Sequence, residues 1–192
     1  MTDVVLPDNA ALLLIDLQRG IDDASWGRRN NPELEANIAR LLAAWRKTAR
    51  MLFHVRHDST EPQSTYRPGQ PGNDFKPEAQ PRRGEMVIAK QTNSAFVGTD
   101  LDPLLRGAGI DTLVIGGVIT NNSVEATVRM AGNLGYTVYL LADGCATVDK
   151  KDLNGRLWPA EDVHALSLAN MDGEYATVVA TAEILQALPT TA

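Results

Sequence analysis

The chain is nearly without cysteine. Cys145 is the one thiol in 192 residues, so no disulfide can close within the chain, and the disulfide-stapled secreted class is excluded. A reducing compartment, the cytoplasm, is the expected location. Basic residues are in the minority: 18 Lys and Arg stand against 24 Asp and Glu, for a net charge of −6. That balance argues against nucleic acid or an anionic membrane as a partner. No apolar run approaches the roughly 20 residues of a membrane-crossing helix, and the opening MTDVVLPDNA lacks the basic start and apolar core of a signal peptide. There is no long-period repeat and no low-complexity segment. No GxGxxG follows the first apolar run, which weakens a dinucleotide-binding reading. No cofactor is therefore expected. What is present, 44% hydrophobic residues in a chain of this length, suffices for one well-filled core, and a single domain over 1–192 is expected.

The most informative stretch is 112–135, TLVIGGVITNNSVEATVRMAGNLG. Leu113, Val114 and Ile115 form the short apolar run of a parallel strand buried on both faces. Gly116 and Gly117 follow, where only small residues let the backbone bend or approach a ligand closely. Thr120, Asn121, Asn122 and Ser123 all favour helix N-termini. A helix is expected from Val124 to Leu134, with Gly135 as its C-cap. A strand turning tightly into a helix leaves free backbone N–H groups that can stabilise developing negative charge. The same residue types also serve simply as caps, so the turn becomes a site only if reactive side chains converge on it.

Along the rest of the chain, 11–15 reads as a buried strand ending in Asp16. Residues 17–31 are a polar loop carrying Trp26. Asn31 and Pro32 read as the cap and first position of a helix whose apolar face is Leu34, Ile38, Leu41, Leu42 and Trp45. A second strand covers 51–55. His54 and His57 lie three apart at its end, and extended backbone sends them to opposite faces, so one of them lines a pocket more readily than both share a metal. Residues 59–84 are rich in Pro, Gly and charge; a connection this long is either a functional loop, with Tyr66, Arg67 and Phe75 as its working side chains, or a solvated excursion. A third strand, 86–89, ends at Lys90. A turn at 94–98 leads to a short helix capped by Thr99, with Pro103 tolerable in its first turn. A strand at 136–141 precedes Asp143 and Cys145, the latter read as a small structural hydrophobe. Residues 149–152 read as an exposed loop, 160–171 as a helix with Val163, Leu166 and Ala169 on one face, 175–180 as a last strand and 182–188 as a closing helix.

Strands alternating with helices imply a parallel sheet with right-handed crossovers. In such sheets ligands bind beyond the carboxyl ends of the strands. Asp16, Lys90 and Ser123 each follow a strand, so one rule places all three on the same edge. Singly each has a bland reading: a turn carboxylate, a solvated strand-end lysine, a helix cap.

Three ordered segments, LLLIDLQ at 12–18, KQTNSAFVGTDLDPLLR at 90–106 and GGVITNNSVEATVRMAGNLG at 116–135, together with a tail from LADGCATV through AEDVHALSLANMDGEYATVVATAEIL, resemble the isochorismatase-like hydrolases, also called the cysteine hydrolase family. The similarity covers nearly the whole chain. It implies a three-layer, Rossmann-like α/β fold with a six-stranded, mostly parallel sheet flanked by helices, and a homo-oligomer, dimer or larger, acting on a small molecule. It implies an Asp–Lys–nucleophile set in which Asp16 and Lys90 match the family and Ser123 stands where the pattern usually has Cys. It also implies a cis peptide between Val118 and Ile119, and an oxyanion hole made by the backbone N–H groups of Ile119 and Ser123.

In the mechanism so implied, Asp16 takes the nucleophile's proton and later activates water, while Lys90 keeps Asp16 ionised. The bond cleaved is an amide or related C–N bond. Serine makes this harder, because a thiol near its free pKa of about 8.5 is already partly thiolate at neutral pH and a hydroxyl is not. Three readings stay open for Ser123: a replaced catalytic cysteine; chemistry needing no nucleophile, such as vinyl-ether hydrolysis with Asp16 as acid; or a site that binds a small molecule without turnover.

Overall fold

The apolar runs of the sequence lie side by side in the computed structural model, which describes residues 4–189. β1 (Ala11–Ile15), β2 (Leu52–His57), β3 (Met86–Lys90), β4 (Thr112–Val118), β5 (Thr137–Ala146) and a short late strand form one sheet. A two-residue hairpin, β6 (Lys150–Lys151) with β7 (Leu157–Trp158), precedes that late strand, β8 (Thr177–Val179). The sheet order is β3-β2-β1-β4-β5-β8, and every neighbouring pair is parallel. Chain direction across the sheet reverses between β1 and β4, so a crevice opens at the carboxyl ends of those two strands.

The helices are α1 (Leu34–Trp45), α2 (Leu101–Gly107), α3 (Glu125–Asn133), α4 (Ala160–Met171) and α5 (Thr181–Ala187). Strand periodicity divides the core into two layers. Leu12 and Leu14 of β1 pack with Leu34, Ile38, Leu41 and Trp45 of α1 and Ile184 of α5. Ala11, Leu13 and Ile15 point the other way, toward Leu101 and Leu105 of α2 and Val128 of α3. The three-layer α/β arrangement implied by the resemblance is the observed one.

Several local expectations are corrected. Helix α1 starts at Leu34, not at Pro32: Asn31 takes a left-handed φ of 47° and spends its amide on the carbonyls of Ala142 and Cys145 at 3.0 and 2.6 Å. Gly116 and Gly117 lie inside β4, not in a turn after it. Gly117 is there because β1 comes so close; a Cβ built on it would stand 2.1 Å from the Ile15 carbonyl oxygen, at a φ of 138°. Gly135, with φ 87°, follows α3 as the expected left-handed terminator. β5 runs on past Leu141 to Ala146 after an irregularity in its pairing with β4, which puts Cys145 inside the sheet. Residues 149–152 are part of the β6–β7 hairpin rather than a plain loop.

Helix α4 has the expected bounds but not the expected face. Leu166 is 66% exposed and Ala169 is exposed; Ala160, His164, Ser167 and Met171 are buried instead. Two polar residues on that face bond to partners on other elements, His164 to Thr120 and Ala142 and Ser167 to Glu125. A hydrophobicity pattern therefore pointed to the wrong stripe.

The 59–84 segment is no solvated excursion. Asn73 pins it, donating to the carbonyls of His57 and Tyr66 at 3.0 and 2.9 Å and to Asp58 at 3.0 Å. Gln18 reaches across from the end of β1, donating to His57 and Asn73 and accepting from the His57 N–H at 2.7 Å. Tyr66 is thereby buried over the carboxyl edge of the sheet, and Phe75 stacks edge-on to His54 at 5.8 Å. Arg67 stays outside, its guanidinium donating to the Pro62 carbonyl at 3.1 Å.

Candidate functional site

Three strand ends deliver the three residues read from the sequence to one point. Asp16 leaves β1 with a left-handed φ of 51°. Its Oδ2 accepts a hydrogen bond from the Lys90 Nζ at 2.7 Å. Lys90 closes β3, two strands away, and its whole side chain is buried. The same ammonium donates to the Thr92 carbonyl at 3.1 Å and to the Ser123 Oγ at 3.4 Å, and lies 3.5 Å from His57 Nδ1. Ser123 sits in the widened helical turn Thr120–Val124 that joins β4 to α3. Its carbonyl is anchored by the Thr127 hydroxyl at 2.7 Å. Asp16 Oδ1 is buried with no hydrogen-bond partner among the described residues.

These groups border a cavity of about 90 Å³. Asp16 and Ser123 line it, with Lys90 behind them. Ile119, Asn122, His57, Tyr66 and Trp26 are among the other residues that line it. The Val118–Ile119 peptide is cis. Both residues whose N–H groups are the candidate oxyanion donors, Ile119 and Ser123, face the cavity.

Burial sets the electrostatics. It pushes the Asp16 carboxyl above its ordinary value, against the opposing pull of the Lys90 charge and hydrogen bond and of the nearby Ser123 hydroxyl. Burial, then repulsion from Lys90, holds the His57 imidazole down at about 4, with Asp58 opposing. His57 is therefore neutral at pH 7. Burial, then the Asp16 and Asp22 carboxylates, raises Tyr66 well above the phenol range. Burial pushes the Cys145 thiol up to about 12, and Cys145 does not border the cavity, as its structural reading requires.

The paired histidines separate as strand geometry demands. His57 faces the cavity, while His54 turns into the protein and meets Glu85 at 2.9 Å. Sequence reasoning missed Asn93, Ser64 and the position of Trp26 on the cavity wall. None of these carries a periodicity signal: Asn93 and Ser64 lie in irregular chain, and Trp26 ends a single 3-10 turn, Ala24–Trp26, too short to show one.

The depressed His57 has a measurable consequence. Its folded value lies below the ordinary 6.5, so between about 4 and 6.5 the unfolded chain binds more protons and stability falls as the solution is acidified. His54 and His164, also lowered by burial, act in the same direction. His57→Gln is expected to flatten the loss without abolishing it. Melting temperatures of both proteins at pH 7, 5.5 and 4.5 check this; parallel curves would show that His57 does not contribute.

The sequence model of the isochorismatase domain matches residues 10–183. The chain belongs to the isochorismatase family of hydrolases. Over 98% of both chains it superposes on a solved structure of an isochorismatase-family protein from Chromobacterium violaceum, with a TM-score of 0.95 and 59% identity. It is 36% identical over 180 residues to YrdC, an isochorismatase family protein of Bacillus subtilis (strain 168), covering 94% of this chain and 96% of that one. Maleamate amidohydrolase of Pseudomonas putida is 31% identical over 108 residues, 56% of this chain and 46% of its own length. As a member of the isochorismatase family the chain is placed among hydrolases, and it shares the fold of that solved structure.

Proposed function

We propose that this hydrolase cleaves an amide or carbamoyl C–N bond of a small molecule, with Asp16 as proton acceptor and donor, Lys90 as electrostatic support and Ser123 as nucleophile. The observation that carries the reading is the meeting of the Asp16 carboxylate, the Lys90 ammonium and the Ser123 hydroxyl at the edge of one cavity. The maleamate amidohydrolase relative supports the bond type.

Ser123 Oγ attacks the carbonyl carbon while its proton passes to Asp16, and the carbonyl π pair becomes an oxyanion. The N–H groups of Ile119 and Ser123 hold that charge. The oxyanion collapses, the C–N bond breaks, and Asp16 returns its proton to the leaving nitrogen. Water then attacks the ester, giving its proton to Asp16, and the acid departs as Ser123 recovers a proton. A carboxylate raised by burial is a stronger base than one in water, which partly offsets the reluctance of serine.

A second reading draws on the same raised carboxyl. A protonated Asp16 could deliver its proton to a vinyl ether such as isochorismate, with water completing the hydrolysis and Ser123 spared.

The deciding experiment is mass spectrometry of protein incubated with amides, ureido compounds and carbamoyl compounds, alongside turnover assays that include isochorismate. C–N hydrolysis predicts an acyl adduct on Ser123, turnover abolished by Ser123→Ala, and faster acylation in Ser123→Cys. Vinyl-ether cleavage untouched by Ser123→Ala, with no amide turned over, favours the second reading. Tight binding with neither product would assign the site to a non-catalytic binder.

A further inference from the structure

We infer that His164, on α4 and outside the cavity lining, is a positioning residue that aims the candidate oxyanion donors by holding the turn Thr120–Val124. This rests on the hydrolytic reading above and adds to it a residue that does not border the reaction cavity. The turn is wider than an α-helical one, and Asn121 leaves helical backbone inside it, at φ −85° and ψ 16°. Ile119 directly precedes the turn and Ser123 lies within it, so a tilt of the turn moves both N–H groups. Thr120, its first residue, is fully buried and bonds through its hydroxyl to His164 Nδ1 at 2.8 Å.

The direction of that bond follows from the other side of the ring. Burial lowers the His164 imidazole, against the pull of the Ala142 carbonyl, so at pH 7 one ring nitrogen carries a proton and the other a lone pair. Nε2 lies 3.0 Å from the Ala142 carbonyl oxygen, which can only accept. The proton is therefore on Nε2, Nδ1 is the acceptor, and the Thr120 hydroxyl donates to it. The Ala142 carbonyl also accepts from the Asn31 amide at 3.0 Å. One chain of bonds thus runs from β5 through the imidazole to the first residue of the turn. Three residues further along α4, Ser167 donates to Glu125 at 2.6 Å, and Glu125 opens α3 directly after the turn. The buried stripe of α4 is polar because it grips backbone that carries the nucleophile. A displacement of about 1 Å in groups so placed costs about 10²-fold in rate.

The test removes the bond from each end. Thr120→Val keeps the shape and loses the donor, His164→Leu loses the acceptor, and Thr120→Ser keeps the hydroxyl. Nitrophenolate release from 4-nitrophenyl acetate, an activated ester, is followed with Ser123→Ala as the blank, each variant well below its melting temperature. Thr120→Val and His164→Leu are each expected to lower kcat by about 10- to 100-fold with KM little moved, while Thr120→Ser keeps most of the rate. The double variant should be no slower than the worse single one, because both changes break one bond. Unchanged rates, a loss carried by KM, or losses that multiply in the double variant overturn the proposal. Should His164→Leu fail to fold, Thr120→Val against Thr120→Ser decides in the same way. Hydrogen exchange reads the hold on the turn without turnover. Faster exchange confined to residues 119–124 in Thr120→Val and His164→Leu upholds it even if the wild type releases no more nitrophenolate than Ser123→Ala, in which case the hydrolytic reading alone fails. Exchange unchanged there, or raised throughout the protein, reduces His164 to a packing residue and overturns the proposal.

Discussion

Asp16→Asn is expected to lower kcat/KM for C–N hydrolysis by about 10²- to 10⁴-fold, the range for removal of a positioned general base. Asparagine keeps the shape of the side chain and can still accept from Lys90, but it takes up no proton from Ser123. On the proposed mechanism the loss falls mainly on kcat, since Asp16 there handles protons rather than substrate binding. The partner change separates chemistry from folding. Lys90→Met leaves the Asp16 carboxyl buried beside no cation, and breaking a buried pair this way costs about 3–5 kcal/mol. Combining Asp16→Asn with Lys90→Met removes the lone charge and should recover most of that stability while remaining inactive. Urea denaturation of the two single variants and the double variant, with kinetics on each, checks both statements. Activity surviving in Asp16→Asn would overturn the assigned role; a double variant no more stable than Lys90→Met would overturn the account of the pair.

The second large effect is structural. Gly117→Ala places a methyl group 2.1 Å from the Ile15 carbonyl oxygen and 2.7 Å from its nitrogen, at a φ of 138° that L side chains avoid. β1 and β4 are the two central strands and pair along Ala11–Ile15 with Leu113–Gly117. Neither can retreat without pulling a filled core with it. Overpacking and backbone strain together are expected to cost at least about 3 kcal/mol, read as a lower denaturation midpoint or loss of soluble protein. Gly84→Ala is the control: that glycine has a positive φ but open space around it, so it pays the strain without the collision and should lose less. Equal losses in the two would refute the clash.

The site was legible where chemistry and sheet topology agree. Asp16, Lys90 and Ser123 each follow an apolar strand, and parallel strands deliver their carboxyl ends to one edge, so the placement needed only the strand assignments. His57 was half legible: alternation along β2 says that one histidine faces out, but the choice between His54 and His57 belongs to Glu85 and Phe75, which come from distant loops. Tyr66 was named as a working residue of the long segment, yet nothing local fixes it over the cavity; Asn73 and Gln18 do, through hydrogen bonds that no pattern of polarity encodes. Helix α4 shows the opposite failure. Its apolar spacing read cleanly and was misleading, because the buried stripe is occupied by residues that satisfy polar partners on other elements. The extension of β5 from the expected end at Leu141 to Ala146 was not legible, because it lies past an irregularity in the pairing with β4.

The sheet order has a final implication for how the reactive centre fails. Asp16 and Ser123 are supplied by interior strands, but Lys90 comes from β3, which has a neighbour on one side only. Strands at the rim peel away at lower free energy than those in the middle. Peeling of β3 would withdraw the ammonium while leaving the carboxylate and hydroxyl seated. Warming or mild urea should then extinguish turnover before the protein melts, with amide protons of residues 86–90 exchanging earlier than those of 11–15 or 112–118.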